Sequence, residues 1–382
     1  MYRYSSRLFR LAVVMVSALT LCFSCDEVDE GVCYTEQAFE VGNVKWSSDV
    51  SSSDREVLSR LISNMVKVES CRFHMGAQSQ SSARANFIPS LTHRDTIWGR
   101  NGEAFWRDLK TKDTIRFNIA DFNFIDTIRS KHDTVAYNVI YKAETLWVGP
   151  VIDVDMPDYY IGKFEITQAE WMAVMHRNPR GQYCIIEGHS GQPWYDEIGK
   201  GDNIAAYNIW FEDAVEFCQK LSAMTGLEFR LPTEAEWECA ARGGKYNRGY
   251  RYPGSDSSQE VGWTYENACQ QKLGQENYGV HAGGERLPNE LGIYDMCGNV
   301  SEWVGNQYYR YGWTDTVNPQ GIAPNFNSDD VLILHGGSWM QQRTSMFCPA
   351  YRERRIMSQY TTEAARQSAF VNCGFRIAVS AK

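Results

Sequence analysis

The sequence NELGIYDMCGNVSEWVGNQYY, residues 289–309, decides how this chain folds, together with HGGSWM at residues 335–340. Glycines interrupt the first stretch often enough to exclude a regular helix, because glycine favours tight turns over helical backbone. Its acidic and amide side chains alternate with Trp303 and other large rings, which a freely solvated loop would not carry. The pattern therefore predicts an irregular core segment, held by buried aromatic rings and able to accept a bound cation.

Two segments upstream, FEITQAEW and RLPTEAEWE, share a helix-start signature. In each, a Thr is followed three residues later by a Glu: Thr167 with Glu170, and Thr233 with Glu236. This spacing is that of a capping box, in which each side chain satisfies a backbone N–H of the other residue. The apolar spacing of residues 209–225 predicts a further helix. Short strands and glycine turns fill the remainder, so the predicted fold class is α+β.

The segments FEITQAEW, RLPTEAEWE, GNVSEW, GGSW and CGFRIA follow one another in that order. In this combination they resemble the formylglycine-generating enzymes, also called sulfatase-modifying factors. The resemblance covers residues 65–77 and 158–382. It implies a C-type-lectin-like fold with much irregular structure and a ligand cleft near the C-terminal part. An active member of the family converts a Cys or Ser of a sulfatase to formylglycine.

A long polar segment, residues 78–153, separates the two resembling parts. Four short Asp-Thr-Ile/Val pieces in it begin at Asp95, Asp113, Asp126 and Asp133. An Asp that opens an alternating run is typical of a turn that leads into a strand. We therefore predict a β-rich insertion inside a domain that spans residues 54–382.

The domain is expected to begin with a helix over residues 54–64. Its apolar side chains, Leu58, Leu61 and Ile62 among them, fall on one helical face, and Asp54 can cap the first turn. Residues 65–77 then alternate as a strand does.

The first 25 residues have the features of an export signal. Three arginines precede an apolar run, residues 11–23, which has signal-peptide length and is too short to span a bilayer stably. Ser24 and Cys25 follow, and they resemble the lipobox of bacterial lipoproteins, although a Cys stands where Leu is usual. The resemblance implies lipid attachment at Cys25 and an outer-membrane location, on the periplasmic face or the cell surface. Residues 26–53 would form a tether, and a plain secretory signal is the alternative.

The charge of the chain limits its partners. A net charge of −9 argues against general nucleic-acid binding, which needs a basic face. The C-terminal part nevertheless carries six arginines: Arg343, Arg352, Arg354, Arg355, Arg366 and Arg376. They either face an anionic ligand or pair with Asp and Glu elsewhere in the fold, which is the commoner fate of arginine in a large domain.

The chemistry of the family depends on two thiolates that hold copper(I). The family places one Cys two residues beyond the Ser-aromatic pair of its Gly-Gly-Ser-aromatic motif, and another five residues further on. Gln341 and Met346 occupy these positions here, and neither supplies a thiolate. Cys348 is the remaining thiol candidate near the motif. We therefore expect no catalysis and no copper, and the alternative is that Cys348 acts with another Cys close in space.

Calcium is the one cofactor that the resemblance implies. Mapped onto this sequence, the family's ligands are the side chains of Asp295 and Glu302 and the carbonyl oxygens of Gly298 and Val300. Carboxylate and carbonyl oxygens are the donors that calcium takes. Asp295 stands where the family usually has Asn, which keeps or strengthens the site. The alternative is a hydrogen-bonded turn without an ion.

An exported chain lives in an oxidising compartment, where its cysteines are able to pair. Cys218 stands where the family has half of a disulfide, and Cys373 lies close to the partner position, which is Ile377. Cys239 is offset by two residues from another half-cystine of the family. The connectivity stays open at this point.

Intact fold motifs beside a missing thiol pair predict a non-catalytic, lipid-anchored envelope protein that binds or scaffolds, as in gliding or type IX secretion machinery. Its partner would be another envelope protein or a glycan. The expected ligand cleft contains Ser338, Trp339, Gln341, Arg343 and Arg352. The residues that we expect to be exposed are Trp339, Gln341, Gln342, Arg343, Arg352 and Arg354, with core packing as the alternative for Trp339. The alternative functions are a formylglycine-generating oxidase and a glycan-binding, lectin-like protein.

Overall fold

A computed structural model describes residues 35–76, 95–100, 103–107, 114–118, 124–131, 134–139, 152–181, 194–270, 275–308, 317–327 and 329–381. The predicted export signal and the lipid-attachment residue Cys25 lie outside these residues and stay predictions. Within them, no helix has the length and hydrophobicity that crossing a bilayer requires.

The helices in the described part of the chain are α1 (Ser52–Ser63), α2 (Gln168–Met175), α3 (Phe211–Thr225), α4 (Glu234–Ala241), α5 (Ser258–Val261) and α6 (Glu363–Ala369). The strands are β1 (Thr35–Phe39), β2 (Gly42–Trp46), β3 (Met65–Val68), β4 (Cys71–Met75), β5 (Asp95–Arg100), β6 (Glu103–Arg107), β7 (Thr114–Asn118), β8 (Phe124–Lys131), β9 (Thr134–Val139), β10 (Ile152–Met156), β11 (Tyr159–Gly162), β12 (Ser301–Gln307), β13 (Val331–His335), β14 (Glu353–Ile356), β15 (Cys373–Gly374) and β16 (Ala378–Ser380). Helices and mostly antiparallel strands are mixed without βαβ alternation, which confirms the α+β class.

Both predicted capping boxes are present at the starts of α2 and α4. The Thr167 hydroxyl accepts the Glu170 N–H at 3.2 Å, and the Glu170 carboxylate accepts the Thr167 N–H at 2.8 Å. Thr233 and Glu236 repeat the arrangement at 3.1 and 2.9 Å. Local sequence therefore fixes where these two helices begin.

Helix α1 begins earlier than its sequence predicts. Ser51 has the extended backbone of an N-cap, and its hydroxyl accepts the N–H of Asp54 at 3.1 Å. Asp54 was the expected cap but lies inside the first turn, where its negative charge still suits the helix N-terminus. The predicted apolar face is confirmed, because Leu58, Leu61 and Ile62 are all buried.

A four-stranded sheet, in the order β14-β13-β12-β15, lies at the centre of the family motifs. Strand β12 runs antiparallel to β13 and parallel to β15, with Ser301 opposite Cys373 and Glu302 opposite Gly374. Pairing therefore places GNVSEW beside CGFRIA, although the sequence separates them widely. Strand β13 ends at His335, so the HGGSWM turn leaves from the same sheet.

The predicted β-rich insertion forms a five-stranded antiparallel sheet in the order β7-β6-β5-β9-β8. Strand β5 begins at Asp95, β7 and β9 begin one residue after Asp113 and Asp133, and Asp126 lies within β8. Strands β4 and β10 flank this segment and pair with each other, with Met75 opposite Ile152. The surrounding sheet thus resumes at Ile152, just before the predicted end of the insertion.

The expected tether at residues 26–53 is wrong for its described part, which begins at residue 35. Strands β1 and β2 form an antiparallel hairpin that turns at Glu40 and Val41, and β2 opens with Gly42, whose φ of 133° disfavours side chains. Every second residue of β2 faces inward, so Val44 and Trp46 are buried in the larger core cluster. The alternation is only three residues long, which is why the polar composition around it suggested a linker.

The core consists of two main clusters of buried side chains. The larger one packs α1, α2 and α3 together, and Trp171 stacks on Phe217 at 5.9 Å between ring centroids while Phe375 meets both rings edge-on. The second lies between β4, β10 and α4 and includes Trp237. Aromatic rings of this size account for much of the buried apolar area.

We predict that Trp46→Ala destabilises the domain strongly. Trp46 is 2% exposed, and removal of a large buried aromatic side chain costs about 3–5 kcal/mol. The measurement is the urea midpoint of the full chain, compared with Lys45→Ala at the neighbouring exposed position. A tether would tolerate both changes equally, so equal midpoints would contradict the hairpin.

Candidate functional site

A fully buried ion pair joins two of the sequence motifs. The Arg376 guanidinium donates to both carboxylate oxygens of Glu302, at 2.6 and 2.7 Å, and neither side chain has exposed surface. Arg376 also donates to the carbonyl oxygens of Gly162 and Tyr294. The Trp237 indole N–H donates to Glu302 at 2.7 Å. CGFRIA, GNVSEW and RLPTEAEWE therefore meet at one carboxylate.

A second buried ion pair lies beside the first. Arg352 donates through Nε and Nη2 to Glu234, and the Nη2 distance is 2.6 Å. His335 Nε2 lies 3.3 Å from the same carboxylate, and its ring stacks on Trp237. Burial alone would raise the pKa of Glu234, but the charge of Arg352 and the contact with His335 outweigh it and lower the pKa to about 2.

Four of the six C-terminal arginines form ion pairs with carboxylates. They are Arg352 with Glu234, Arg355 with Glu353, Arg366 with Glu212, and Arg376 with Glu302. These contacts favour the structural role over an anionic ligand.

The expected ligand cleft is largely inside the protein. Ser338, Trp339 and Arg352 are 1%, 0% and 5% exposed, so the expectation that Trp339 and Arg352 face solvent is wrong. Trp339 packs edge-on against Tyr278, and Arg352 is drawn in by Glu234. Of the predicted set, Gln341 and Arg343 remain partly exposed.

Two glycines explain how the HGGSWM turn buries its large ring. Gly336 and Gly337 have φ values of 82° and 70°, a conformation that side chains rarely adopt. A Cβ on Gly337 would lie 2.8 Å from the Phe347 ring. The close approach lets Trp339 N–H reach the Asn299 carbonyl at 2.9 Å, so the turn is fastened to GNVSEW.

The positions of the missing thiols are occupied as the sequence indicates, and Met346 is 7% exposed. Cys348 packs against a small apolar cluster that contains Cys297, a neighbour that the sequence did not reveal. Burial raises the pKa of both thiols, that of Cys297 well above its ordinary value. Cys297 also donates to the Ser258 carbonyl oxygen at 3.7 Å. This pair is therefore held as neutral thiols, whereas copper(I) needs thiolates.

The residues expected to hold calcium lie in a cluster of buried carboxylates. Asp295, in left-handed backbone with φ 57°, accepts the Gly284 N–H at 2.9 Å through Oδ2. Glu165, which the sequence did not single out, accepts the Val300 N–H at 3.0 Å. Glu302 completes the cluster. Burial, followed by repulsion from the neighbouring acids, raises the pKa of Glu165 well above its ordinary value, and burial raises that of Asp295 to about 6.

The fit of this cluster to a cation rests on Asp295. Its Oδ1 atom is buried and has no hydrogen-bond partner among the described residues. Three carboxylates surround a single guanidinium, which leaves an excess of negative charge. Glu302 already binds Arg376 and Trp237 and would have to share its oxygens. The described residues contain no group of three His, Cys, Asp or Glu side chains able to hold a metal, so any ion would also need backbone carbonyls.

The described cysteines at 71, 218, 239, 269, 297, 348 and 373 are all free thiols. Cys218 and Cys373 are both buried, and burial raises the pKa of each, to about 12 for Cys373. The pairing of these two that the resemblance suggested is therefore not formed here.

A cleft of about 340 Å³ opens beside the N-terminus of α3. Its lining residues are Arg180, Trp210, Thr361, Thr362, Glu363 and Arg366. The two guanidiniums lie 5.9 and 5.3 Å from the Trp210 ring centroid, and carboxylates of α3, Asp213 and Glu212, hold them. Because those charges are already neutralised, the cleft suits a polar, hydroxyl-bearing or peptide ligand better than a simple anion.

Comparison with known proteins agrees with this architecture. The family model described as "Sulfatase-modifying factor enzyme 1-like domain" matches residues 125–381. A Paenibacillus barcinonensis protein named "Chaperone protein LppX" is 32% identical over 209 residues, 45% of this chain and 75% of the relative. The mouse "Formylglycine-generating enzyme" is 33% identical over 209 residues, 53% of this chain and 48% of the enzyme. The chain thus spans about half of the mouse enzyme's length.

One solved structure shares the fold at low sequence identity. PvdO from Pseudomonas aeruginosa aligns with a TM-score of 0.51 and 17% identity, and the alignment covers 83% of this chain and 94% of PvdO. The mixed helix-and-sheet fold that the motifs implied is therefore confirmed.

We predict that Asp295→Asn stabilises the protein above pH 6 when a chelator is present. A native pKa raised from 3.8 to about 6 makes the wild-type carboxyl increasingly costly as pH rises from about 4 to about 6. The advantage of Asn should grow from near zero at pH 4 to roughly 2–3 kcal/mol at pH 8, at 1.4 kcal/mol per pKa unit. Urea unfolding at both pH values measures it, with the exposed Asp329→Asn as control. A constant difference across pH would contradict the assignment.

Proposed function

Because the chain belongs to the sulfatase-modifying factor enzyme 1-like family, we propose that it is a descendant that has kept the fold and lost the oxidase reaction. It acts as a lipid-anchored envelope protein whose domain binds a partner. The observation that carries this proposal is the pair Gln341 and Met346 at the positions where the family needs two thiols.

The neighbouring thiols do not replace that pair. Cys348 and Cys297 pack together, but burial keeps both protonated near neutral pH. Copper(I) bound through two sulfurs needs thiolates, because a protonated thiol is a weak ligand. Met346 offers a neutral thioether that is itself buried. The site therefore lacks the pair of thiolate ligands on which oxygen activation by copper(I) would depend.

The matched relatives support both halves of the proposal. The mouse protein is named a formylglycine-generating enzyme, and this is the reaction that we propose the chain has lost. The Paenibacillus relative is named a chaperone, which is a binding role rather than a catalytic one, and the chain covers three quarters of it. A binding role for this chain is consistent with the second name and with the missing thiols.

The alternative function, a formylglycine-generating oxidase, is separable by assay. We predict that the full chain does not convert a Cys-x-Pro-x-Arg peptide in the presence of copper and oxygen, and does not load copper(I) stoichiometrically. The matched variant combines Gln341→Cys with Met346→Cys. It should bind copper(I) at least tenfold more tightly, since both thiols that the family uses are then restored.

The contradicting result is turnover by the wild-type chain that Cys348→Ala or Cys297→Ala abolishes. Such a result would show that the buried pair works as a catalytic site and would overturn the non-catalytic proposal.

We extend the proposal to a structural calcium ion at Asp295, Glu302 and the carbonyl oxygens of Gly298 and Val300. The free Oδ1 of Asp295 and the surplus of buried negative charge support it. Calcium should raise the midpoint of thermal unfolding of the wild type more than that of Asp295→Ala, which removes the side-chain oxygens. An equal response of the two proteins would count against the site.

The binding face that we assign is the cleft at Trp210, because it joins an aromatic ring to hydroxyl and charged groups. The partly exposed surface at Gln341 and Arg343 is the other candidate. The partner is a second envelope protein or a glycan, reached from an outer-membrane anchor at Cys25.

One experiment on native membranes tests the anchor and the face together. Cys25→Ala should lose palmitate labelling and membrane association. Thr361→Arg, which fills the cleft from an exposed position, should stay on membranes and lose its co-purifying partner, while the exposed Gln342→Arg should keep both. Loss of the partner in Gln342→Arg alone would move the face to the other surface. Palmitate labelling that survives Cys25→Ala would contradict the anchor.

A further inference from the structure

Two cysteines meet where β4 packs against α4. The Sγ atoms of Cys71 and Cys239 are 3.5 Å apart, although 168 positions separate them in the sequence. Cys239 lies in the middle of α4 with no exposed surface, whereas Cys71 opens β4 and is partly exposed. A disulfide bond is about 2.05 Å long. The two sulfurs therefore need to approach by only about 1.5 Å to bond.

Hydrogen bonds to the backbone of Gly76 hold β4 against α4. At the end of β4, the Gly76 N–H donates to the Glu238 carboxylate at 2.7 Å, and Arg242 donates to the Gly76 carbonyl oxygen at 2.5 Å. Glu238 is the residue before Cys239. The far end of β4 is thus tied to the helix residue next to Cys239, and disulfides without strain need a held geometry between the two elements.

The two thiols differ in reactivity. The hydrogen bond from Cys239, helped by the charge of Lys245, lowers the pKa of Cys71 against the opposing effect of burial. The same contact and burial raise the pKa of Cys239 well above its ordinary value. The thiolate is the nucleophile in disulfide exchange. Cys71 is accordingly the sulfur that an incoming disulfide meets first.

We propose that Cys71 and Cys239 form a disulfide-bonding site that is oxidised by exchange with a protein or small-molecule disulfide. The Cys71 thiolate attacks one sulfur of the donor, and the other donor sulfur leaves and takes up a proton. Cys239 then loses its proton and attacks Cys71 in the mixed disulfide, releasing the second donor thiol. Two protein thiols lose two electrons and two protons, and the donor disulfide becomes two thiols.

The other described cysteines lack this combination. Cys297 and Cys348 are neighbours, but burial raises the pKa of both, and neither is activated as Cys71 is. Cys218 and Cys373 are buried separately in the core. Among the described thiols, Cys71 is distinguished by partial exposure, a lowered pKa and a sulfur partner at contact distance.

Closing this bond would join the two ends of a long stretch of chain that includes the insertion sheet β5–β9. A cross-link over so many residues restricts the unfolded chain more than the folded one. The site would thereby stabilise the domain after export, independently of whether the domain is catalytic.

The test uses the full chain and oxidised glutathione as the donor. Peptide mapping without reductant should find Cys71 linked to Cys239, and the midpoint of thermal unfolding should exceed that of the reduced protein by roughly 5–15 °C. Cys239→Ser should accumulate glutathione on Cys71, since the resolving thiol is gone. Cys71→Ser should leave Cys239 unmodified, and Cys348→Ser should leave the linked peptide intact.

The order in which the two cysteines react can be measured even where a variant is less stable. Glutathione on Cys239 in Cys71→Ser, to the extent seen on Cys71 in Cys239→Ser, would overturn it. So would linkage of Cys71 to any other cysteine in the wild-type chain.

Discussion

The charge pair of Arg376 and Glu302 sits without exposed surface between three segments that are far apart in sequence. A buried ion pair offers little net stability, but the loss of one partner leaves an unpaired charge and costs about 3–5 kcal/mol. Its role here is to specify one arrangement of the three segments. The arginine also binds the carbonyl oxygens of Gly162 and Tyr294, and the carboxylate binds the Trp237 indole. Irregular backbone that has few regular hydrogen bonds is thus held to one arrangement.

The sequence predicted what local chemistry controls. The capping boxes of Thr167 and Thr233 and the strands of the insertion needed only neighbouring residues, and they form as expected. Burial of Arg352 could not be predicted, because arginine is exposed by default and its partner Glu234 is 118 positions away. The same holds for Glu165 beside Val300 and for the thiol contacts. A single sequence carries no signal for pairs that only the tertiary fold creates.

The prediction of a tether at residues 35–46 was wrong for a different reason. Its inward alternation is too short to stand out from a polar neighbourhood, yet Val44 and Trp46 are buried and hold the hairpin on the core. The prediction that Trp339 is exposed in a cleft at the HGGSWM turn was wrong because two glycines fold its side chain inward. In contrast, the substitutions at Gln341 and Met346 leave the ion pairs and the central sheet untouched. The contacts that hold the scaffold therefore involve other residues than the two positions where the family has its thiols.

The pairing of β4 with β10 places Met75 directly opposite Ile152. The residues where the intervening chain begins and ends therefore form one pair of the antiparallel ladder, as in an ordinary hairpin, whatever lies between them. Lengthening or replacing that intervening chain costs little in closure entropy, which grows only logarithmically with length. The position between β4 and β10 is therefore an insertion site, where one inserted segment can replace another without a change in the rest of the domain.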